Sequence, residues 1–192
     1  AEVLPRIDSS NSELMRRFKG SSSAAPRPEP TLLVAEDQTA GRGRLGRSWL
    51  SQRGDSLTFS LGLPLKPADW SGLSLAVGVS VADSLEPPTT GQNHPASQPR
   101  FGLKWPNDLW LSTPQGERKL GGILVETAAW EDLRYLVIGI GINIRPVSLT
   151  GPANPFMAAV PPGSLQEMDA SIDAAAALLR IVPALVQTVQ AF

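Results

Sequence analysis

Apolar residues recur along this 192-residue chain with two different periods, and the switch between them outlines most of its elements. Residues 31–35 (TLLVA) are a short apolar run that reads as a strand. Residues 56–63 place Leu57, Phe59, Leu61 and Leu63 at every second position, as a second strand requires. Ser10-Asn11-Ser12-Glu13 has the spacing of a capping box, and Leu14, Met15 and Phe18 follow at helical spacing, so a short helix opens near Asn11 and ends at Gly20. Residues 71–85 satisfy both periods: Leu73, Leu75, Val77, Val79 and Val81 alternate, while Leu73, Ala76, Val77, Ser80, Val81 and Ser84 form a helical stripe. Their length favours helix. Residues 101–111 and 119–127 flank a polar segment containing Pro114 and Gly116 and read as an antiparallel hairpin, with residues 133–144 returning beside its second arm. Residues 171–192 carry Ile172, Ala175, Leu179, Val182, Val186 and Val189 as a last helix, with a kink expected at Pro183. Residues 21–30, 87–99 and 146–162 are rich in turn-forming residues and read as loops too short to part domains. The expected fold is one α+β domain over residues 1–192, a mixed, largely antiparallel sheet flanked by helices.

Composition narrows the chemistry. With 42% hydrophobic residues and 17 basic against 18 acidic side chains, the chain builds a real core, and it has no overall basic surplus for nucleic acid or anionic membrane. Cysteine is absent, which removes disulfides, thiolate metal sites and cysteine nucleophiles. The single histidine, His94, lies in a polar, proline-rich run, so neither a Ser/His/Asp triad nor a multi-histidine metal site is expected, and no metal ligands are assigned. No apolar run is read as approaching the roughly 18 residues that span a bilayer, and residues 1–19 lack a signal-peptide core, so a soluble, cytoplasmic protein without membrane contact is expected.

Three stretches carry candidate chemistry. Gly41-x-Gly43-x-x-Gly46 follows a strand and matches the dinucleotide fingerprint, but Gly46 leads into Arg47-Ser48-Trp49 and a polar run instead of an apolar helix, so the Rossmann reading is rejected. Arg42, Arg44 and Arg47 on a glycine-rich loop suit a lid closing over a carboxylate or phosphate. A merely solvated basic loop is the competing explanation. Lys104-Trp105-Pro106-Asn107-Asp108 puts a lysine at a strand end before a stiffened turn. Gly139-Ile140-Gly141-Ile142-Asn143 lets another backbone or a flat ligand approach the sheet, with the Asn143 amide suited to a nucleobase edge; plain sheet packing is the alternative.

The blocks Ile7-Asp8-Ser9-Ser10-Asn11, QTAGRGRLGRSW at 38–49, KWPND at 104–108, KLGGILVE at 119–126 and GIGIN at 139–143 occur in the same order in the biotin-protein ligases, also called biotin-[acetyl-CoA-carboxylase] ligases. Over residues 7–143 the chain resembles their catalytic domain. The resemblance implies a fold similar to the class II aminoacyl-tRNA synthetases. It also implies an ATP-dependent, AMP-forming enzyme: biotin and MgATP give biotinyl-5'-AMP, and biotin then passes to a lysine of a biotin carboxyl carrier protein. It assigns the ureido ring of biotin to Ser9, Ser10 and Gln38 with the backbone at Gly41 and Arg42, and the carboxylate to Arg44. Lys104 would hold that carboxylate against the α-phosphate, so that Lys104, Arg44 and Arg42 are the catalytic set; Arg47, Trp49, Asn107 and Asn143 would serve the nucleotide. Biotin, ATP, Mg2+ and the carrier are the implied partners, and a homodimer is allowed. Ser10 stands where threonine is usual. The family's C-terminal SH3-like domain is expected to be absent because the chain stops at Phe192, and no N-terminal helix-turn-helix, hence no specific DNA binding, is expected. A lipoate-type ligase on the same fold and a noncatalytic biotin- or nucleotide-binding remnant are the alternatives.

Overall fold

A computed structural model describes residues 1–20, 28–67, 69–86, 100–130, 133–146 and 160–192. Its elements run β1 (Glu2–Leu4), α1 (Ser10–Gly20), β2 (Thr31–Ala35), the two-residue pair β3 (Gly41–Arg42) and β4 (Ser48–Trp49), β5 (Ser56–Leu65), α2 (Leu73–Leu85), β6 (Arg100–Lys104), β7 (Asp108–Thr113), β8 (Gly116–Trp130), β9 (Leu133–Asn143) and α3 (Ala174–Ala191). Among the described residues, seven strands form one sheet in the order β1-β2-β5-β9-β8-β7-β6, antiparallel except for the parallel pairing of β1 with β2. The α+β expectation therefore holds.

The alternation of β5 has an unusual outcome, since both of its faces are buried. Leu57, Phe59, Leu61 and Leu63 point into the main core with Ile138, Ile140 and Ile142 of β9, under α2 (Val77, Val81) and α3 (Ala177, Ile181, Leu185). The other face carries Ser56, Thr58 and Ser60, buried as well. Part of that second face is apolar, where Leu14 of α1 meets Leu33, Tyr135 and Val137. The rest is polar and glycine-rich. A sheet face left polar yet shut off from water must satisfy its hydroxyls internally or with a ligand.

Several boundaries differ from the sequence reading, each for a physical reason. The short β1 lacks a pattern of its own and is a strand only because β2 pairs with it. Residues 101–111 are two strands, because Trp105-Pro106-Asn107 form the turn between β6 and β7. The next turn is tighter than residues 112–118: β7 runs to Thr113 and β8 starts at Gly116, whose φ of 116° is in glycine's range. The box at Ser10 does not cap α1; Ser9 does, its Oγ accepting the Ser12 N–H at 3.4 Å, while Ser10 is drawn to tertiary partners and Glu13 to Arg16 and Arg17. Residues 87–99 with His94, and most of the loops at 21–30 and 146–162, lie outside the described residues.

Contrary to the sequence reading, α3 is long and apolar enough to cross a membrane. It packs Ala177, Ile181, Leu185 and Val189 inward, a stripe rotated from the one its spacing suggested, and leaves Leu179 75% exposed. Both stripes are apolar, so only the seat against α2 and the sheet chooses between them. The helix runs through Pro183, which is exposed. Leu185→Ala is expected to cost about 2–5 kcal/mol of stability in chemical denaturation, and Leu179→Ala less than about 0.5 kcal/mol. Equal effects would overturn this seating of α3.

Candidate active site

Registration across the sheet sets the site. Thr58 of β5 pairs with Gly141, Gly141 with Gly122, Gly122 with Asp108, and Asp108 with Lys104, so one row crosses five strands on the polar face. A neighbouring row runs from Ser60 through Gly139 to Leu124. The glycines here receive side chains. A Cβ on Gly139 would overlap the Asn11 amide, and one on Gly141 would meet the Trp49 ring at 2.5–2.8 Å. The flat ligand that the alternating glycines suggested is thus, at Gly141, the protein's own indole. Its Nε1 is buried without a partner among the described residues.

At one end of this face a hydrogen-bond cluster gathers Ser10, Gln38, Ser60 and Asn11, while Ser9 beside it is bonded to Asp8 and to the first turn of α1. Ser10 N–H donates to Gln38 Oε1 at 2.7 Å, and Ser10 Oγ lies 3.1 Å from the same oxygen and 2.7 Å from Ser60 Oγ. Ser60 in turn donates to Asn11 Oδ1 at 2.6 Å. Ser9, Ser10, Asn11 and Ser60 are all buried. The Arg16 guanidinium grips Asp8 at 2.6 and 2.9 Å and holds its carboxyl down at about 2, and Asp8 also accepts the Ser9 N–H. Because that folded-state value is depressed, the contribution of Asp8 to stability is present above pH 4 and fades as pH falls toward 2.

The glycine–arginine loop is fixed at its base and bare at its tip. Gly41 and Arg42 pair with Trp49 and Ser48, and the Arg42 guanidinium is taken by Glu126 of β8 at 3.0 Å and by Ser12 at 3.3 Å. Between these anchors Gly43 N–H donates to the Arg47 carbonyl at 2.7 Å, closing a short tip. There Leu45 stands 90% exposed with φ 56°, a left-handed conformation costing a leucine about 1–2 kcal/mol. Arg44 reaches from this tip to Asn107 Oδ1 at 3.4 Å, and Asn107 Nδ2 is anchored on the Ile123 carbonyl at 2.8 Å. The loop and the KWPND turn, more than fifty residues apart in the chain, therefore meet.

Two lysines, not one, reach this end. Lys104 lies with its ammonium 4.1 Å from the Trp110 ring centre, a cation–π contact. Lys119, which the sequence reading placed only within a strand, bonds Asp108 at 2.7 Å and passes within 4.0 Å of where a Gly122 Cβ would stand. Register sets Lys119 opposite Trp110, two residues beyond the end of KWPND, and only the reach of its side chain back to Asp108 brings it to this end, so no local signal in the sequence marks it. Arg47 is exposed at the tip. Asn143 is buried and donates its amide to the Gly163 carbonyl at 2.9 Å, so that donor holds the chain after β9 instead of facing the open site. A cavity of about 500 Å³ lies on the α2 side instead, lined by Trp70, Leu75, Trp105, Val125 and Arg134, and shares with the motif blocks the Trp105-Pro106 turn and Val125. Among the described residues no three His, Cys, Asp or Glu side chains converge as a metal site.

A neutral hydrogen-bonded cluster, a row of glycines that Trp49 covers at Gly141, and a group of cations thus lie along one face of the sheet. The family model that matches residues 3–143 is that of the biotin/lipoate A/B protein ligases, and this chain belongs to that family. Among its relatives, the bifunctional ligase/repressor BirA of Escherichia coli is 40% identical over 145 residues, covering 74% of this chain and 40% of BirA. The biotin-[acetyl-CoA-carboxylase] ligase of Mycobacterium tuberculosis is 35% identical over 146 residues, covering 74% and 48%. The chain thus spans less than half the length of these two relatives. The structure of the Aquifex aeolicus biotin protein ligase in complex with biotin and ATP superposes with a TM-score of 0.67 at 31% identity, covering 99% of this chain and 70% of that one.

Gly141→Ala is expected to push the Trp49 indole off the sheet, shifting its indole N–H resonance in NMR spectra and costing about 1–3 kcal/mol of stability. An unmoved resonance would remove Trp49 from the roof.

Proposed function

We propose that the chain is a biotin-protein ligase catalytic unit that joins biotin to ATP and passes it to a lysine of a biotin carboxyl carrier protein. The observation that carries this reading is the row Thr58-Gly141-Gly122-Asp108-Lys104, which leads from the neutral Ser9, Ser10 and Gln38 cluster to Arg44, Lys104 and Lys119. Biotin has the matching layout, with an uncharged urea ring at one end and a carboxylate at the other. The 35% identity to a biotin-[acetyl-CoA-carboxylase] ligase supports the same substrate.

In the first step a biotin carboxylate oxygen attacks the α-phosphorus, the bond to the β-phosphate oxygen breaks, and pyrophosphate leaves. No enzyme nucleophile is needed, in keeping with a chain without cysteine. An anion attacking a polyanion needs neutralisation and alignment. Arg44, Lys104 and Lys119 supply the charge, with Lys104 drawing the carboxylate to the α-phosphate and Lys119 beside it. Ser9, Ser10 and Gln38 hold the urea with the Gly41 and Arg42 backbone, while the Arg42 side chain steadies the loop. Arg47, Trp49 and Asn107 face the nucleotide, and Asn143 shapes its wall. Magnesium enters with the ATP phosphates, and no side chain here is assigned to it. In the second step the carrier lysine amine attacks the acyl carbon and AMP leaves.

Incubated with biotin, MgATP and a carrier domain, the chain is expected to add a biotin-sized mass to the carrier; lipoate in place of biotin is expected to add none. Gln38→Ala should weaken biotin binding by about 1–3 kcal/mol in calorimetry. Lys104→Met and Lys119→Met should each slow pyrophosphate release by about 10²–10³ with melts little changed. Rates within about twofold of the parent would exclude the lysine concerned.

A further inference from the structure

We propose that Ser60 and Asn11 fix the direction of the Ser10 hydroxyl proton, making the neutral end of the site a reader of N–H donors and so the determinant of urea over sulfur-ring substrates. The proposal rests on the ligase reading above. Its basis is a count of protons. The Asn11 amide nitrogen faces the Leu124 carbonyl at 3.2 Å and Glu126 Oε2 at 3.0 Å, two atoms that only accept, so its oxygen is the atom turned to Ser60. An amide oxygen carries no proton, and Ser60 therefore spends its single hydroxyl proton on that 2.6 Å contact. Ser60 Oγ then only accepts at its 2.7 Å contact with Ser10 Oγ, and the Ser10 proton goes there.

Gln38 Oε1 is oriented by the Ser10 N–H at 2.7 Å, which leaves the 3.1 Å contact between Ser10 Oγ and Gln38 Oε1 without a proton. Three oxygen–oxygen contacts share two hydroxyl protons, and the two shortest hold them. Ser10 Oγ then presents lone pairs, made more basic by donating into a chain, and Gln38 presents its amide N–H groups. A cyclic urea offers the complement, N–H and carbonyl together. A dithiolane ring offers no N–H, and would leave the Ser10 oxygen unpaired in a dry site.

Burial keeps the order in place: Ser60 is 0% exposed, and Ser10 and Asn11 are 4% and 3% exposed, so no bulk water resets the protons. Glycine at 139 gives the Asn11 amide its seat, and Arg42, on the same Glu126 carboxylate, ties the chain to the glycine–arginine loop. Ser60 is thus a positioning residue that acts through Ser10.

The test pairs a change in the protein with a change in the ligand. Calorimetry would compare biotin with its two mono-N-methyl derivatives, on the parent chain and on Ser60→Ala, with Ser60→Cys as a near-isosteric second variant should Ser60→Ala fold poorly. The parent is expected to prefer biotin over at least one N-methyl form by about 100-fold. The variants should bind biotin about tenfold more weakly, the scale of one buried hydrogen bond, and should narrow that preference to about tenfold. Unchanged biotin affinity in the folded variants would overturn the proposal, and so would a uniform loss that leaves the preference intact, the signature of a purely structural role. A parent chain that binds no biotin would instead bring down the ligase reading on which it rests.

Discussion

Asn11 lies directly over Gly139, and the polar face of the sheet is organised around that contact. Without a Cβ at 139 the amide drops onto the strand, where it reaches the Leu124 carbonyl, Glu126 and Ser60 together. The bond with Ser60 satisfies a hydroxyl that the fold has shut away from water, and the chain continues through Ser60 to Ser10 and through Glu126 to Arg42. The N-terminus of α1, the polar rows of the sheet and the base of the glycine–arginine loop are held by one carboxamide.

The sheet makes this possible by being buried on both sides for different reasons. Its apolar side is covered by α2 and α3 and supplies the hydrophobic driving force, through Phe59, Ile138, Ile140 and Ile181 among others. Its second side is covered by α1 and the loop, where small and hydroxylated residues leave room for shape and hydrogen bonding. The candidate site therefore lies on the side where packing contributes less, and the core behind it keeps rows on adjacent strands in register.

Charge follows the same division. The chain is nearly neutral overall, yet Arg44, Lys104 and Lys119 meet at one end of one row. Asn107 holds Arg44, Asp108 holds Lys119 and the Trp110 ring holds Lys104, so each cation stands in a defined place. Arg42 differs from its neighbours in the loop because Glu126 has claimed it, which divides the loop into an anchored base and an exposed tip.

The sequence alone determined the β5 alternation, the strand at 31–35 and the motif blocks, because those depend on spacing within a few residues of each other, whereas over residues 71–85 spacing fitted both periods and only length favoured the helix that the structure shows at 73–85. It also brought Ser9, Ser10, Gln38 and the arginines to attention through their glycine-rich and hydroxyl-rich surroundings. Tertiary structure decided the rest. The strand β1 exists only through its partner, the apolar stripe of α3 that faces inward is chosen by α2, and Ser10 leaves its capping position for Gln38 and Ser60. Lys119 became visible only when strand register set it opposite Trp110, within side-chain reach of Asp108, and Asn11 only when Gly139 came beneath it. Local periodicity records which face of an element is apolar, whereas pairing across more than a hundred residues decides what each polar side chain meets.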